Sequence, residues 1–237
     1  MVIAIYNIKG GVGKTSTTIN LAYNASKKSK VLIWDLDPQG ASTFYLEKQV
    51  KDKNLIQKIE KKGLKKFIKH TKFINIDLIP ADLSLKNLDF EDDKFFKNLL
   101  NEIKEYDYIF IDSPPTLSTI SQNIFKASDV VIIPTIPTIL SVRTYNQIVR
   151  YFKNYTDKRI VLTFLSMVDN RKKMHLEIAE KILALPKKQV LKTAIYNSVL
   201  VEKMGEKLAP VELFAPDSKT AKSYQKLWKE IEKKIKK

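Results

Sequence analysis

Residues 8–16 have the sequence Ile-Lys-Gly-Gly-Val-Gly-Lys-Thr-Ser. The apolar run from Val2 to Ile8 before them is typical of a buried strand, and residues 17–25 after them can form a helix. The three glycines let the backbone curl so that successive N–H groups point at one anion, to which the helix adds its positive N-terminal end. Lys14 can reach the β- and γ-phosphates of a nucleotide, and the Thr15 hydroxyl can bind Mg²⁺. The stretch therefore predicts a strand, a phosphate-binding loop and a helix.

This loop departs from the ordinary GxxxxGK[ST] pattern, because the first glycine of that pattern would fall on Ile8. The chain instead has KGGVGKTS, with an extra lysine at Lys9. Since Lys14 already serves one nucleotide, the second lysine is best explained by phosphates that one subunit's lysine alone does not neutralise. A glycine turn that binds nothing is the competing interpretation, and the flanking strand and helix disfavour it.

The loop resembles the deviant Walker A box of the ParA/MinD family of dimeric ATPases. The resemblance is closest to small Soj-type DNA-partitioning members without an N-terminal helix-turn-helix. It implies that Lys9 reaches across an ATP-dependent homodimer to the partner's ATP. It also implies that the nucleotide is bound by Lys9, Gly10, Gly11, Val12, Gly13, Lys14, Thr15 and Ser16.

A second polar segment follows the strand-like run Val31 to Asp37, which leads into Pro38-Gln39-Gly40. Acids at the carboxyl end of a strand lie where ligands bind in doubly wound sheets. The segment also matches the DxDPQG motif of the family, which implies that Asp37 positions the attacking water and that its loop senses the γ-phosphate. A helix-capping aspartate in a tight turn is the alternative. Asp37 is also a candidate ligand of Mg²⁺.

The run Tyr108 to Asp112 is an apolar strand that ends in an acid and leads into Ser-Pro-Pro. Such an aspartate can hold Mg²⁺ through water and organise the serine or threonine of the phosphate loop. We therefore predict Lys9, Lys14, Asp37 and Asp112 as catalytic residues, and Thr15, Asp37 and Asp112 as the metal site. In the family, the stretch after the strand that ends near Ser166 lies close to the adenine. The resemblance thus implies that Asn170 neighbours the base or ribose.

Strand-like and helix-like runs alternate over the whole length. The predicted strands are residues 2–8, 31–37, 73–80, 108–112, 127–134, 158–166, 190–196 and 211–214, and the main helices are 17–25, 92–104, 139–155 and 218–237, with a further helix opening at Asp82. This alternation predicts an α/β fold with one doubly wound, mainly parallel sheet and helices on both faces. At 237 residues, we expect a single domain over residues 1–237.

The charge balance indicates a polyanionic partner. The formal net charge is +16, and only four of the 42 basic residues are arginine. Lysine suits phosphate backbones better than the reading of base edges, so nonspecific DNA is the expected partner. A solvated lysine-rich surface without a polyanion partner is the alternative.

The last helix, residues 218–237, combines an apolar stripe with a cationic face. By resemblance, Lys219 matches a family position that touches DNA, and Lys222 lies one turn further on. A second basic position of some relatives is Asn197 or Leu200 in this chain, with Lys203 as a substitute.

The sequence has no cysteine, no apolar run of 18 residues and a first strand that begins at once. The lack of cysteine excludes disulfides, thiolate metal sites and cysteine nucleophiles. We expect a cytoplasmic, nucleoid-associated protein without a signal peptide.

The resemblance implies an ATP-hydrolysing partition protein with ATP and Mg²⁺ as cofactors. Its dimer would hold nonspecific DNA until a ParB-like centromere-binding activator stimulates hydrolysis. One alternative is a MinD-like ATPase that uses the last helix, with Trp228, as a membrane anchor, although the fold needs the apolar stripe of that helix. Another is an orphan ParA-like protein that positions a different cargo.

Overall fold

The computed structural model describes residues 1–46, 54–84, 92, 94–152, 159–184 and 189–236. In this part of the chain, one sheet contains β1 (Val2–Ile5), β2 (Val31–Asp35), β3 (Lys69–His70), β4 (Ile76–Ile79), β5 (Tyr108–Asp112), β6 (Val130–Thr135) and β7 (Ile160–Leu165). The strand order is β3-β4-β2-β5-β1-β6-β7. Neighbouring strands pair in parallel, except for β3 with β4 at one edge. The expected mainly parallel sheet is confirmed.

The helices lie on both faces of this sheet. They are α1 (Lys14–Ser26), α2 (Ala41–Tyr45), α3 (Leu55–Lys62), α4 (Phe95–Leu100), α5 (Thr119–Ala127), α6 (Ile139–Phe152), α7 (Lys173–Leu183), α8 (Val199–Glu202), α9 (Met204–Lys207), α10 (Val211–Phe214) and α11 (Lys219–Ile235). Because successive side chains of a strand point to opposite faces, Ile3 and Ile5 pack in the cluster with α1 and α11. Ala4 packs in the cluster with α3, α4 and α5. The described helices include none that is long and apolar enough to cross a membrane.

The apolar stripe of α11 belongs to the core. The Trp228 ring lies 5.1 Å from Tyr108 and 5.8 Å from Phe110, measured between ring centroids. Trp228 is 6% exposed, and Leu227 and Ile231 are fully buried. The last helix is therefore docked on the sheet through its apolar side, and its lysines face outward.

The strand predicted over residues 211–214 is wrong, because this segment is helix α10. Pro210 precedes it as the N-cap residue, and Asn20 Oδ1 accepts a 3.0 Å hydrogen bond from the Val211 N–H. A fixed proline φ and a satisfied N–H at the first turn both favour a helix start. Four mostly apolar residues carry no periodicity that separates the two structures.

The strand predicted over residues 190–196 is also wrong. In the described chain this segment makes only isolated bridges, between Thr163 and Val190 and between Val168 and Tyr196. The carboxylate of Glu230 on α11 accepts the N–H groups of Lys192 and Thr193, at 2.7 and 2.9 Å. Those two donors are consequently unavailable to a continuous ladder.

Other element bounds also differ from prediction. The helix predicted over 92–104 is confined to Phe95–Leu100, and the first strand ends at Ile5 rather than Ile8. Helices α5 and α7 were not among the predicted elements. Residues 85–91, into which the helix predicted from Asp82 would run, and the predicted ends at Tyr155 and Lys237 lie outside the described residues.

Candidate nucleotide site

The glycine-rich loop joins β1 to α1 at the carboxyl edge of the sheet. Gly13 is the N-cap residue of α1 with φ of 86°, and Gly11 has φ of 68°, both in the left-handed region that favours glycine. A Cβ on Gly13 would lie 3.2 Å from Ser166 Oγ and 3.3 Å from Ser16 Oγ. The loop therefore needs glycine at position 13 for both its conformation and its packing against the end of β7. Its backbone forms the kind of cradle that binds phosphate at a helix N-terminus.

The two lysines of the loop occupy different settings. Lys14 is 7% exposed, and its Nζ donates a 3.2 Å hydrogen bond to the carbonyl oxygen of Lys9. Burial lowers the Lys14 pKa, and the nearby charges of Asp112 and Asp37 oppose that shift. Lys9 is half-buried, and its N–H is held at 3.0 Å by Asn7 Oδ1. Lys14 is thus fixed inside its own loop, while the Lys9 backbone is held by Asn7, two residues beyond the end of β1.

Asp112 ends β5 beside the phosphate loop. It is opposite Ile5 in β1 and opposite Asp35 in β2, so two carboxylates meet at the centre of the sheet. Both are fully buried. Burial raises the pKa of Asp112, and hydrogen bonds from Ser42 and Thr15 oppose the shift. Burial, followed by the charge of Asp112, raises the Asp35 pKa as well. Two adjacent buried carboxylates cannot both ionise without a compensating cation.

The short helix α2 ties these carboxylates to the loop after β2. Ser42 Oγ donates to Asp112 Oδ2 at 2.7 Å. The N–H and hydroxyl of Thr43 donate to Asp35 Oδ2 at 2.8 and 2.7 Å. Ser42 and Thr43 were not predicted as site residues. Both follow the Pro/Gly loop in sequence, and that local pattern does not indicate hydrogen-bond partners at the ends of β2 and β5.

Asp37 lies at the start of the same loop. Its Oδ1 accepts from the Gln39 N–H at 2.9 Å, and its carbonyl oxygen accepts from the Gly40 N–H at 2.8 Å. Asp37 therefore does stabilise its own turn, as the alternative interpretation predicts. Asp37 is half-buried and lines the same pocket as Lys14 and Thr15. Its second carboxylate oxygen, Oδ2, is not used in the turn and can bind a ligand in that pocket.

The pocket has a volume of about 480 Å³. Its lining includes Gly10, Gly11, Gly13, Lys14, Thr15, Ser16 and Asp37 from the loops after β1 and β2, and Met167, Ile195, Tyr196, Asn197 and Ser198 from the chain after β7. Val12 is buried beneath the loop. The structure thus brings together six of the eight predicted loop residues and Asp37, with Asp112 buried behind them, whereas Lys9 is not among the described residues that line the pocket. A glycine cradle, a buried lysine and acidic oxygens fit a nucleotide with Mg²⁺.

Asn170, predicted beside the base, is exposed and is absent from the described residues that line the pocket. Met167 and Asn197 do line the pocket. Met167 has φ of 52°, an uncommon left-handed conformation for a non-glycine residue, and such residues cluster at functional sites. Asn197 reaches the pocket because its N–H is bonded at 2.9 Å to the Val168 carbonyl oxygen. The sequence had pointed to Asn197 only as a position in the DNA surface.

The predicted DNA contacts lie beside this pocket. Lys203, Lys219 and Lys222 are all exposed. Ser198, which caps α8 and lines the pocket, is hydrogen-bonded at 2.8 Å to Thr220 at the start of α11. The structure therefore places the first turn of α11 next to a wall of the nucleotide pocket.

The chain matches a family model described as an AAA domain over residues 1–164. It is 33% identical over 246 aligned residues to the sporulation initiation inhibitor protein Soj of Bacillus subtilis, covering 97% of each chain. A putative plasmid partition protein from Borrelia burgdorferi, solved bound to AMPPNP, superposes with a TM-score of 0.81 at 27% identity, over 99% of each chain. The cell division ATPase MinD of Pyrococcus furiosus shares the fold, with a TM-score of 0.81 at 24% identity over 98% of each chain.

The parallel sheet and the glycine loop define a nucleoside triphosphatase of the phosphate-loop class, with the KGGVGKTS variant of that loop. Within that class, the chain belongs to the ParA/Soj family of partition ATPases.

Proposed function

We propose that this protein is a DNA-segregation ATPase that hydrolyses ATP to ADP and phosphate. Two copies close around two ATP molecules with Mg²⁺, and the closed dimer binds nonspecific DNA of the nucleoid. A ParB-like centromere-binding partner stimulates hydrolysis, and the dimer then opens and leaves the DNA. The chain acts as a single domain over residues 1–237. The observation that carries this proposal is the loop with two lysines. Within the described residues, only the Lys14 ammonium group donates a hydrogen bond to its own loop, through the carbonyl oxygen of Lys9.

The residues of the site have separable roles in this proposal. Lys14 and the loop N–H groups stabilise negative charge that develops on the transferred phosphoryl group. Thr15 and Asp112, with Asp37, would hold Mg²⁺, which when bound neutralises phosphate charge. Asp37 lines the pocket and orients the attacking water. Lys9 serves the nucleotide of the neighbouring subunit, as the family resemblance implies.

Slow intrinsic turnover is part of the proposal. The described residues that line the pocket include no arginine. Phosphoryl-transfer enzymes often gain several orders of magnitude in rate from an arginine supplied by an activating partner. A partner that completes the site would make the lifetime of the dimer on DNA depend on where that partner is bound.

The cationic surface supports binding to DNA rather than to a membrane. Lys219 and Lys222 are exposed on α11, and the Ser198–Thr220 contact connects this helix to the pocket wall. Two such surfaces in one dimer would double the number of phosphates neutralised, which raises affinity through counterion release. The apolar side of α11, including Trp228, is committed to the core and is not free to enter a bilayer.

The mass of the purified protein tests the proposal, measured by light scattering with Mg²⁺ and a nonhydrolysable ATP analogue, with and without duplex DNA of arbitrary sequence. We expect a monomer without nucleotide, a dimer with nucleotide, and a salt-sensitive DNA complex of the dimer only. A chain that stays monomeric at saturating nucleotide contradicts the proposal. A dimer that sediments with anionic liposomes and ignores DNA supports the MinD-like alternative.

A further inference from the structure

A large groove lies between α6 and α7, away from the nucleotide pocket. Its volume is about 1190 Å³. Its apolar lining includes Val142 on α6 and Ile178 and Ile182 on α7, of which the two isoleucines are nearly buried. Neither helix takes part in the site described above. The groove therefore needs an explanation independent of nucleotide binding.

The rim of this groove is cationic. Arg143 and Arg150 line it from α6, and Lys181 lines it from α7. The described lining residues include no aspartate or glutamate. Positive charge that is not neutralised beside an apolar surface favours a ligand that brings both carboxylates and apolar groups.

Arginine is rare in this chain, and the four arginines fall into two groups. Arg159 donates to the carbonyl oxygens of Ser128 and Lys126, and Arg171 makes a forked contact with Asp169. Arg143 and Arg150 have no hydrogen bond or ion pair among the described residues, and both line the groove. A chain that otherwise uses lysine thus places two planar, fork-shaped donors where a carboxylate partner would use them.

The spacing of these two arginines indicates the shape of the ligand. Seven residues of α helix are close to two turns, so Arg143 and Arg150 lie on one side of α6, about 10 Å apart along its axis. Carboxylates seven residues apart on another helix have the same spacing. The 14 residues of α6 provide about 20 Å of wall, enough for a ligand helix of three to four turns.

We propose that the groove between α6 and α7 docks an acidic amphipathic helix of a partner protein. Two carboxylates, two turns apart, bind Arg143 and Arg150, and the apolar stripe of the ligand helix packs on Val142, Ile178 and Ile182. Nucleic acid is the weaker fit, because a phosphate backbone gains nothing from the apolar side chains that line the groove. The inference does not depend on ATP or DNA binding.

Selection from a displayed library of randomised helical peptides against the full-length protein tests the proposal. The binding of each selected peptide to the wild type is compared with its binding to the variant Arg143→Glu/Arg150→Glu, which should fold because both side chains are exposed. Arg143→Gln/Arg150→Gln is the milder second variant. A matched control, Lys61→Glu/Lys62→Glu, reverses two exposed charges on α3, outside the groove.

We expect selected peptides to carry Asp or Glu seven residues apart beside an apolar stripe. Fluorescence anisotropy of the best peptide should show roughly tenfold weaker binding to the glutamine variant, the size expected for two exposed ion pairs, a larger loss with the glutamate variant, and no change with the lysine control. The charge-reversed variant should prefer the same peptide with lysines in place of the acids. The proposal is overturned if no peptide is selected or if the selected peptides lack acidic residues. It is also overturned if the arginine variants lose affinity for duplex DNA and not for the peptide.

Discussion

Ser42 Oγ donates a 2.7 Å hydrogen bond to Asp112 Oδ2 across 70 residues of sequence. Ser42 lies in the first turn of α2, after the loop of Asp37, and Asp112 ends the strand beside the phosphate loop. Both side chains are fully buried. The contact therefore couples the two acidic segments of the site, and its donor helps to keep a buried carboxylate charged.

Replacement of Ser42 by alanine tests this coupling. Removal of one partner of a charged, buried hydrogen bond costs about 1.5–3 kcal/mol. In Ser42→Ala the Asp112 pKa should rise further, because the hydroxyl that opposes the shift is gone. We expect Mg²⁺-dependent ATP-analogue affinity to fall by about tenfold, measured by isothermal titration calorimetry.

Ser128→Ala is the matched control for this prediction. Ser128 is also a buried serine, and its Oγ donates at 2.7 Å to the carbonyl oxygen of Ile124 at the end of α5, outside the residues that line the pocket. The control should lose stability but keep nucleotide affinity. Equal affinity in both variants would contradict the role of Ser42.

Asp112→Asn should change how stability depends on pH. The Asp112 pKa is raised from 3.8 to about 6 by burial, so the folded state binds more protons than the unfolded state across that window. The free energy of unfolding therefore falls as pH rises from about 4 to 6. Asparagine carries no charge, so the variant should gain on wild type between about pH 4 and pH 7.5 by an amount on the order of 3 kcal/mol, of which about half is expected between pH 5 and pH 7.5.

Thermal unfolding without nucleotide or Mg²⁺ measures this difference. The midpoint of Asp112→Asn minus that of wild type should be larger at pH 7.5 than at pH 5. Asp35 should add to this difference. A neutral asparagine at position 112 removes one cause of the raised Asp35 pKa, so charged Asp35 destabilises the variant less than the wild type at pH 7.5. A difference that does not vary with pH would show that the burial of charge has been misjudged.

Gly13→Ala should destabilise the phosphate loop. Alanine at φ of 86° is strained by about 1–2 kcal/mol, and its Cβ would also press on Ser166 Oγ at 3.2 Å. Gly10→Ala is the matched control, because a Cβ there has no neighbour within 4 Å. We expect a lower midpoint of unfolding for Gly13→Ala alone, measured without nucleotide. Equal midpoints would mean that the loop relaxes freely.

The sequence predicted those parts of the site whose residues are adjacent in the chain. The loop around Lys14 and the acid at Asp112 follow from local spacing and from strands with an unbroken apolar run. The sequence did not place Asn197 and Ser42 in the site because each enters it through a contact with a residue distant in sequence, Val168 and Asp112 respectively. The segments 190–196 and 211–214 were misjudged for the same reason, since Glu230 and Asn20 satisfy their backbone groups from other helices. Local patterns carry no record of such partners.

Asp37→Ala should separate binding from hydrolysis. Asp37 lines the pocket, and its Oδ1 accepts a hydrogen bond from the Gln39 N–H of its own turn rather than from the phosphate loop, so its loss should leave the cradle intact. We expect ATP to bind still, because Thr15 and Asp112 remain to hold Mg²⁺, and turnover to fall by two or more orders of magnitude, as for other residues that position a water. Phosphate release in single-turnover assays gives the rate. Normal hydrolysis would assign Asp37 to the turn alone.

Lys219→Glu tests the DNA surface. Lys219 is the first residue of α11, where a glutamate suits the positive end of the helix dipole, so the fold should be retained. Each lysine–phosphate contact contributes a slope of about 0.9 to the fall of log affinity with log salt concentration. Loss of one contact per subunit should weaken DNA binding and flatten that slope by about 1 for each subunit.

Lys233→Glu makes the same charge change on the same helix, 14 residues away or about 20 Å along its axis. Titrations of a labelled duplex at several salt concentrations, with a nonhydrolysable ATP analogue, compare the two variants. If Lys219 binds a phosphate, Lys219→Glu flattens the dependence of log affinity on log salt concentration. Lys233→Glu then shows only the smaller effect of the changed net charge. If both variants behave alike, the affinity comes from the diffuse +16 charge of the protein, and the first turn of α11 has no specific part in it.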